Sequence, residues 1–196
     1  SDVRVLPSAC GGGFGSKLDL SFQPFIAVAA WHLKRPVAIA YSRQESMQST
    51  TKRHPSDISI TVACDGDGQL MATDFDGVFN TGAYASWGPT VANRVPVHAS
   101  GPYFTPAYRA EGRAVHTNGP VSGAFRGFGV PQAAVMQETL YDQLAERLGL
   151  DRLEFRALNC LRNGSETVTG QRLESGVGTG EGLDALGPRW SAAPAA

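Results

Sequence analysis

The chain has 196 residues, 42% of them hydrophobic and 18% charged, with a formal net charge of -1. This suits one domain with a proper core or two small ones, and excludes a disordered tail or a nucleic-acid surface built on bulk positive charge. The longest apolar run falls far short of a membrane span, and Ser1-Asp2-Val3-Arg4-Val5 lacks the basic-then-apolar order of a signal peptide.

In chain order, Val3 to Pro7 reads as a short strand running into a glycine loop, Cys10-Gly11-Gly12-Gly13-Phe14-Gly15-Ser16. Phe22, Phe25, Ile26, Ala29, Ala30 and Leu33 then recur at helical spacing, so this stripe is expected to face a core. Ser21 is the expected N-cap, Pro24 falls in the first turn, and Arg35-Pro36 ends the helix. Val37 to Tyr41 reads as a buried strand, completing a β-loop-α-β unit. Ile58, Ile60 and Val62 alternate with polar residues, Asp65-Gly66-Asp67-Gly68 supplies a turn, and Leu70 to Phe79 returns as the second arm of a hairpin. The stretch from Gly82 to Pro106 is expected to be irregular, with Arg113 to Thr117 a short strand after it.

A second glycine cluster follows, Gly123-Ala124-Phe125-Arg126-Gly127-Phe128-Gly129. Pro131 opens a helix with Met136, Leu140, Tyr141, Leu144 and Leu148 on one face, closed by Gly149. Asp151 and Glu154 form a capping-box-like start to another helix, with Leu153, Ala157, Leu158 and Leu161 inward. The expected fold class is α+β, with α/β-like β-loop-α-β units plus a β-hairpin. Residues 1–174 are expected to form the functional region, and 175–196 an irregular tail.

Three cysteines, Cys10, Cys64 and Cys160, make no C-x-x-C pair, and the four histidines lack metal-ligand spacing. The thiols therefore read as reduced, a cytoplasmic location is expected, and a protein-ligated metal is not. Asp65 to Gly68 fails as a calcium loop at Gln69 and Leu70, and Asn163-Gly164-Ser165 reads as a chance glycosylation match. The first glycine loop is neither a Walker A loop nor a dinucleotide fingerprint, because Ser16-Lys17-Leu18 breaks both patterns. It is either a tight turn or a loop whose backbone N–H groups approach an anion. In the second cluster, Arg126 between Phe125 and Phe128 is either an anion or oxo-group receptor beside a stacking ring, or an ion-paired arginine between core rings.

Taken together, the two clusters are more specific. Gly11-Gly12-Gly13-Phe14-Gly15-Ser16-Lys17 resembles the G-G-G-F-G-x-K loop of the xanthine dehydrogenase/aldehyde oxidase family. Ala124-Phe125-Arg126-Gly127-Phe128-Gly129-Val130-Pro131-Gln132 resembles that family's A-F-R-G-F-G-G-P-Q segment, in the same order and at a similar separation. Arg53-His54-Pro55 and Gly82-Ala83-Tyr84 add to the match, which covers roughly Val3 to Glu174.

The resemblance implies an internal part of a molybdenum-binding large subunit that hydroxylates an N-heterocycle such as a purine, with water as oxygen source. A same-family enzyme acting on an aldehyde, a nicotinate-like ring or an aromatic CoA thioester is the alternative, and a non-enzymatic anion-binding or assembly module is the competing class. The implied cofactor is molybdenum-molybdopterin, with or without a nucleotide tail. Gly13, Phe14, Gly15 and Arg126 would bind it, with the backbones of Phe14 and Arg126 near the metal but not ligating it. Phe128 would stack on the substrate ring, Arg94 would bind the substrate, and Leu18 would line its site. Leu18 stands where purine-oxidising members carry a glutamate, and leucine cannot make that hydrogen bond. The general-base glutamate is expected outside this chain, so the chain alone is expected to be inactive. Implied partners are the remainder of the molybdenum subunit, a [2Fe-2S] subunit and a FAD subunit.

Overall fold

The computed structural model describes residues 3–192. It is α+β, in the order α1 (Gln23–Leu33), α2 (Arg43–Ser49), β1 (Ser56–Cys64), β2 (Leu70–Gly82), α3 (Gly88–His98), β3 (Ala107–His116), α4 (Val130–Leu148), α5 (Arg152–Asn159) and α6 (Thr179–Ser191). The strands form one sheet in the order β1-β2-β3.

The hairpin forms where the alternation lies. In β2, Thr73, Phe75, Phe79 and Thr81 are buried at every second position, as a half-buried strand requires. Asp65 closes the turn by accepting from the N–H groups of Asp67 at 3.0 Å and Gln69 at 2.8 Å. β3 begins six residues before the expected strand at Arg113.

Other elements depart from the sequence reading for identifiable reasons. Val3 to Pro7 and Val37 to Tyr41 are extended but not in a sheet, so the β-loop-α-β unit is not formed among the described residues. Val3, Val5, Leu6 and Ile39 are exposed there, and a strand exists only through a ladder partner. The α1 stripe is only partly covered: Phe22, Phe25 and Leu33 are exposed, while Ile26, Ala29 and Ala30 are half-buried. Its N-cap is Phe22, not Ser21, without a side-chain cap, and Lys34 ends it in the left-handed conformation. The short helix α2 is an addition to the expected elements, although its signal is present: Ser42 and Glu45 form a reciprocal capping box.

α3 lies inside the stretch expected to be irregular. Val91, Ala92, Val95 and Ala99 are buried along it and just past its end, a helical spacing obscured by Pro89 and Pro96. In α4 the buried line is Ala133, Gln137, Tyr141 and Ala145; of the predicted face, Tyr141 is buried, Leu144 and Leu148 pack against the same core, and Met136 and Leu140 are half-buried. In α5, Asp151 caps as expected, but Phe155 and Asn159 face inward while Leu158 is exposed. The expected irregular tail contains α6, whose Trp190 indole donates to Asp151 Oδ2 at 2.8 Å. α6 also packs against α5, and tertiary packing with this bond offsets the cost of the glycines and the proline within the helix. Residues 193–196 lie outside the described residues.

The chain divides into two units, which differs from a single span 1–174 with a tail. Unit 1 comprises 1–56, 78–92 and 113–129; unit 2 comprises 57–77, 93–112 and 130–196. Unit 2 is built on Leu70, Tyr103, Tyr141, Ala145 and Phe155. Tyr103 meets Tyr141 edge-on at 5.0 Å, and Tyr141 meets Phe155 at 5.6 Å. The buried Asn159 ties α5 to the start of β2, accepting from Leu70 N–H at 2.8 Å and donating to the carbonyls of Gly68 at 2.9 Å and, within its own helix, Phe155 at 2.8 Å. Unit 1 buries Phe79, Thr81, Val91, Ala92 and Ala124, and carries both glycine loops.

Candidate cofactor-binding loops

The first loop turns through glycine and left-handed backbone. Gly12 has φ 140°, Phe14 φ 50° and Gly15 φ 97°. The Ser16 N–H donates to the Gly13 carbonyl at 3.0 Å and the Leu18 N–H to the Gly15 carbonyl at 3.3 Å. Lys17 folds back to donate to the Gly12 carbonyl at 2.5 Å and to Cys10 Sγ at 3.3 Å. A backbone hydrogen bond at Gly12, with the Lys17 ammonium, lowers the Cys10 thiol below its ordinary range.

The second loop repeats the device: Gly127 has φ 85°, Phe128 φ 50° and Gly129 φ 102°. Phe14 and Phe128 are thus non-glycine residues held in a conformation that L-residues enter at a cost. The loop is held at its entry by hydrogen bonds from Ser122 N–H to Thr81 O and from Gly123 N–H to Lys52 O, both at 3.0 Å.

The two loops meet at Gly15. A Cβ there would stand 2.5 Å from the carbonyl carbon of Ala124 and 2.7 Å from Phe125 N, with Ala124 O also in the way. Only glycine permits that backbone-to-backbone approach. Across the junction the Arg126 guanidinium lies 5.5 Å from the centre of the Phe14 ring. Arg53 lies 4.7 Å over the Phe125 ring and donates to the Arg126 carbonyl. Both are cation–π contacts, so rings and guanidinium groups alternate along the junction.

Cationic side chains lie against both loops, Lys17 on the Gly12 carbonyl, Arg53 over Phe125 and Arg126 over Phe14. Cβ atoms added at Gly11 or Gly13 would meet nothing within 4 Å, so those glycines leave open space above the loop. Among the described residues no three His, Cys, Asp or Glu side chains form a metal-binding group. Glycine turns with backbone N–H groups beside cationic side chains suit an anionic ligand. No helix of the described residues is long and apolar enough to cross a membrane.

Of the sequence-predicted residues, Gly13, Phe14, Gly15, Leu18, Arg126 and Phe128 share unit 1. Phe14 and Leu18 are exposed, and Phe128 is half-buried. Arg94 is exposed on the part of α3 that belongs to unit 2. Sequence reasoning gave no role to Trp87, whose ring meets Phe128 edge-on at 6.0 Å. Nor did it give one to Ser86, which has φ 41° and donates to Asp19 Oδ1 at 2.8 Å. Neither contact has a local signal, since each joins residues far apart in the chain.

Residues 1–160 match the molybdopterin cofactor-binding domain, and the chain belongs to that family. It is 46% identical over 184 residues to the nicotinate dehydrogenase large molybdopterin subunit of Eubacterium barkeri, covering 94% of this chain and 43% of the relative. It is 45% identical over 157 residues to a probable xanthine dehydrogenase component of Bacillus subtilis, covering 80% and 21%. Among solved structures, the aldehyde oxidoreductase from Desulfovibrio gigas superposes with TM-score 0.87 at 37% identity, covering 93% of this chain and 20% of that one. Quinoline 2-oxidoreductase from Pseudomonas putida 86 superposes with TM-score 0.83 at 30% identity, covering 93% and 24%. The chain therefore spans less than half the length of these relatives.

Proposed function

We propose that this chain supplies the molybdopterin-binding loops of the large subunit of a molybdenum hydroxylase. The observation that carries the reading is the meeting of two left-handed glycine loops at Gly15 and Ala124, with Arg126 over Phe14. The backbones of Gly13, Phe14 and Gly15 and the Arg126 segment would hold the cofactor. When bound, the molybdenum cofactor supplies two-electron oxidation of substrate carbon with oxygen from water. This chain's residues orient it, place positive charge beside it and present a ring, Phe128, to a planar substrate. The general-base glutamate lies outside the chain in this reading, and electrons pass to [2Fe-2S] and FAD partners.

The substrate class is an N-heterocycle. Leu18 offers no hydrogen bond where a purine-oxidising site has a glutamate, which favours a nicotinate-like ring over a purine. The 46% identical relative is a nicotinate dehydrogenase subunit, in keeping with that preference. An aldehyde is the second reading, supported by the superposition on aldehyde oxidoreductase.

The test is Gly13→Ala in the assembled enzyme. Its Cβ meets nothing in the protein, so the unfolding free energy of the cofactor-free subunit stays within about 0.5 kcal/mol of wild type. Molybdenum and pterin content per subunit falls sharply. Wild-type cofactor content in that variant would overturn the assignment. Turnover of nicotinate, a purine and an aromatic aldehyde by the wild-type complex separates the substrate readings.

A further inference from the structure

Asp19 sits one residue past Leu18 at the exit of the first glycine loop. Its Oδ1 accepts from Ser86 Oγ at 2.8 Å, and its Oδ2 is buried with no hydrogen-bond partner among the described residues. Ser86 is a non-glycine residue at φ 41°, so its backbone is strained and needs an anchor. The next residue, Trp87, meets the Phe128 ring at 6.0 Å with 67° between planes. Gly123 closes the cluster: a Cβ there would lie 2.6 Å from Ser86 Oγ, 2.9 Å from Thr51 Cγ2 and 3.0 Å from Asp19 Oδ2. One carboxylate thus touches the turn that carries Trp87 and packs against the entry to the loop that carries Phe128.

We propose that Asp19 is a positioning residue for the Trp87–Phe128 aromatic pair, acting through Ser86, and so sets which planar substrates fit against Phe128. Without the carboxylate, Ser86 relaxes toward ordinary φ, and the Trp87 ring turns with it. Asp19 acts here through its bond to Ser86 rather than on a substrate atom. The effect falls on how well the ring is held, and it differs between small and large rings. This inference rests on the proposed function for its substrate arm, but its structural arm does not.

The experiment uses the assembled holoenzyme carrying Asp19→Ala, Asp19→Asn, Ser86→Ala or Ser86→Gly. Trp87 emission is read as the difference between each enzyme and the same enzyme carrying Trp87→Phe, and KM and kcat are read with a monocyclic and a bicyclic heterocycle. Asp19→Ala and Ser86→Ala shift the Trp87 emission and change the ratio of the two KM values about tenfold, with kcat changed less than about twofold. Asn keeps an acceptor for Ser86, and glycine adopts φ 41° without an anchor, so Asp19→Asn and Ser86→Gly stay close to wild type. The proposal is overturned if Asp19→Ala and Ser86→Ala leave Trp87 emission unchanged, or if Ser86→Gly falls as far as Ser86→Ala. The serine pair decides the matter even if Asp19→Ala fails to assemble. If the wild-type complex holds no molybdenum, the proposed function has failed, while the emission arm still supports or overturns the Asp19 assignment.

Discussion

Replacing Gly15 by alanine attacks the point where the two loops touch. The new Cβ would start 2.5 Å from the Ala124 carbonyl carbon and 2.7 Å from Phe125 N. Both obstacles are backbone, so no rotamer relieves them, and one loop must retreat by about 1 Å to restore van der Waals contact. Alanine at φ 97° adds backbone strain of about 1 kcal/mol or more, and forced overpacking adds about 1–3 kcal/mol. The expected loss is therefore about 2–4 kcal/mol, centred on the cofactor loops. A displacement of about 1 Å at a positioning element also lowers turnover by about 100-fold. The assays are the thermal midpoint of the assembled enzyme, its molybdenum content and its kcat. Gly66→Ala is the control, since a Cβ there meets nothing within 4 Å and should change stability by less than about 0.5 kcal/mol. A Gly15→Ala enzyme with wild-type midpoint, metal content and turnover would refute the reasoning, as would an equal loss in the control.

Asn159→Leu orphans the Leu70 N–H and the Gly68 and Phe155 carbonyls in the unit 2 core, so the midpoint in urea should fall by the equivalent of about 2–4 kcal/mol. Arg53→Met keeps an apolar stem but loses the cation over Phe125 and the bond to the Arg126 carbonyl. It should lower stability by about 1–3 kcal/mol and raise the loss of molybdenum on dialysis. His54 is buried, and desolvation together with the Arg53 charge lowers its pKa below 6.5. The unfolded chain therefore takes up a proton first as pH falls. His54 contributes stability that is complete above about pH 6.5 and is lost as pH falls through the lower folded pKa. A urea series from pH 7.5 to 5 should show that loss, and His54→Phe should flatten it. Tyr108 runs the opposite way: burial raises its pKa to about 12, so its contribution holds below about pH 10 and is lost as pH rises through the folded value. Tyr108→Phe should reduce that alkaline loss.

Local features were legible in the residues alone. Alternation at Ile58, Ile60 and Val62 with the Asp65–Gly68 turn specified the β1–β2 hairpin, because period two and an Asx turn leave little choice. Asp151 fixed the start of α5, and both glycine clusters were legible as loops because glycine runs mark them. The α+β class and the cofactor family followed from those loops. Features that need a distant partner came only with the folded chain. Val37 to Tyr41 has strand composition, yet a strand exists only if a neighbour supplies its ladder. α3 forms despite Pro96 because Val91, Ala92 and Val95 find burial. α6 forms despite three glycines and Pro188 because it packs against α5, with Trp190 reaching Asp151. The meeting of Gly15 with Ala124 spans more than a hundred residues, and Asp19 reaches Ser86 across 67. Composition carries no trace of such separations, since they are set by chain closure and packing rather than by any residue's own preference. The loops were readable as loops, while their junction, and the carboxylate beside it, belong to the fold.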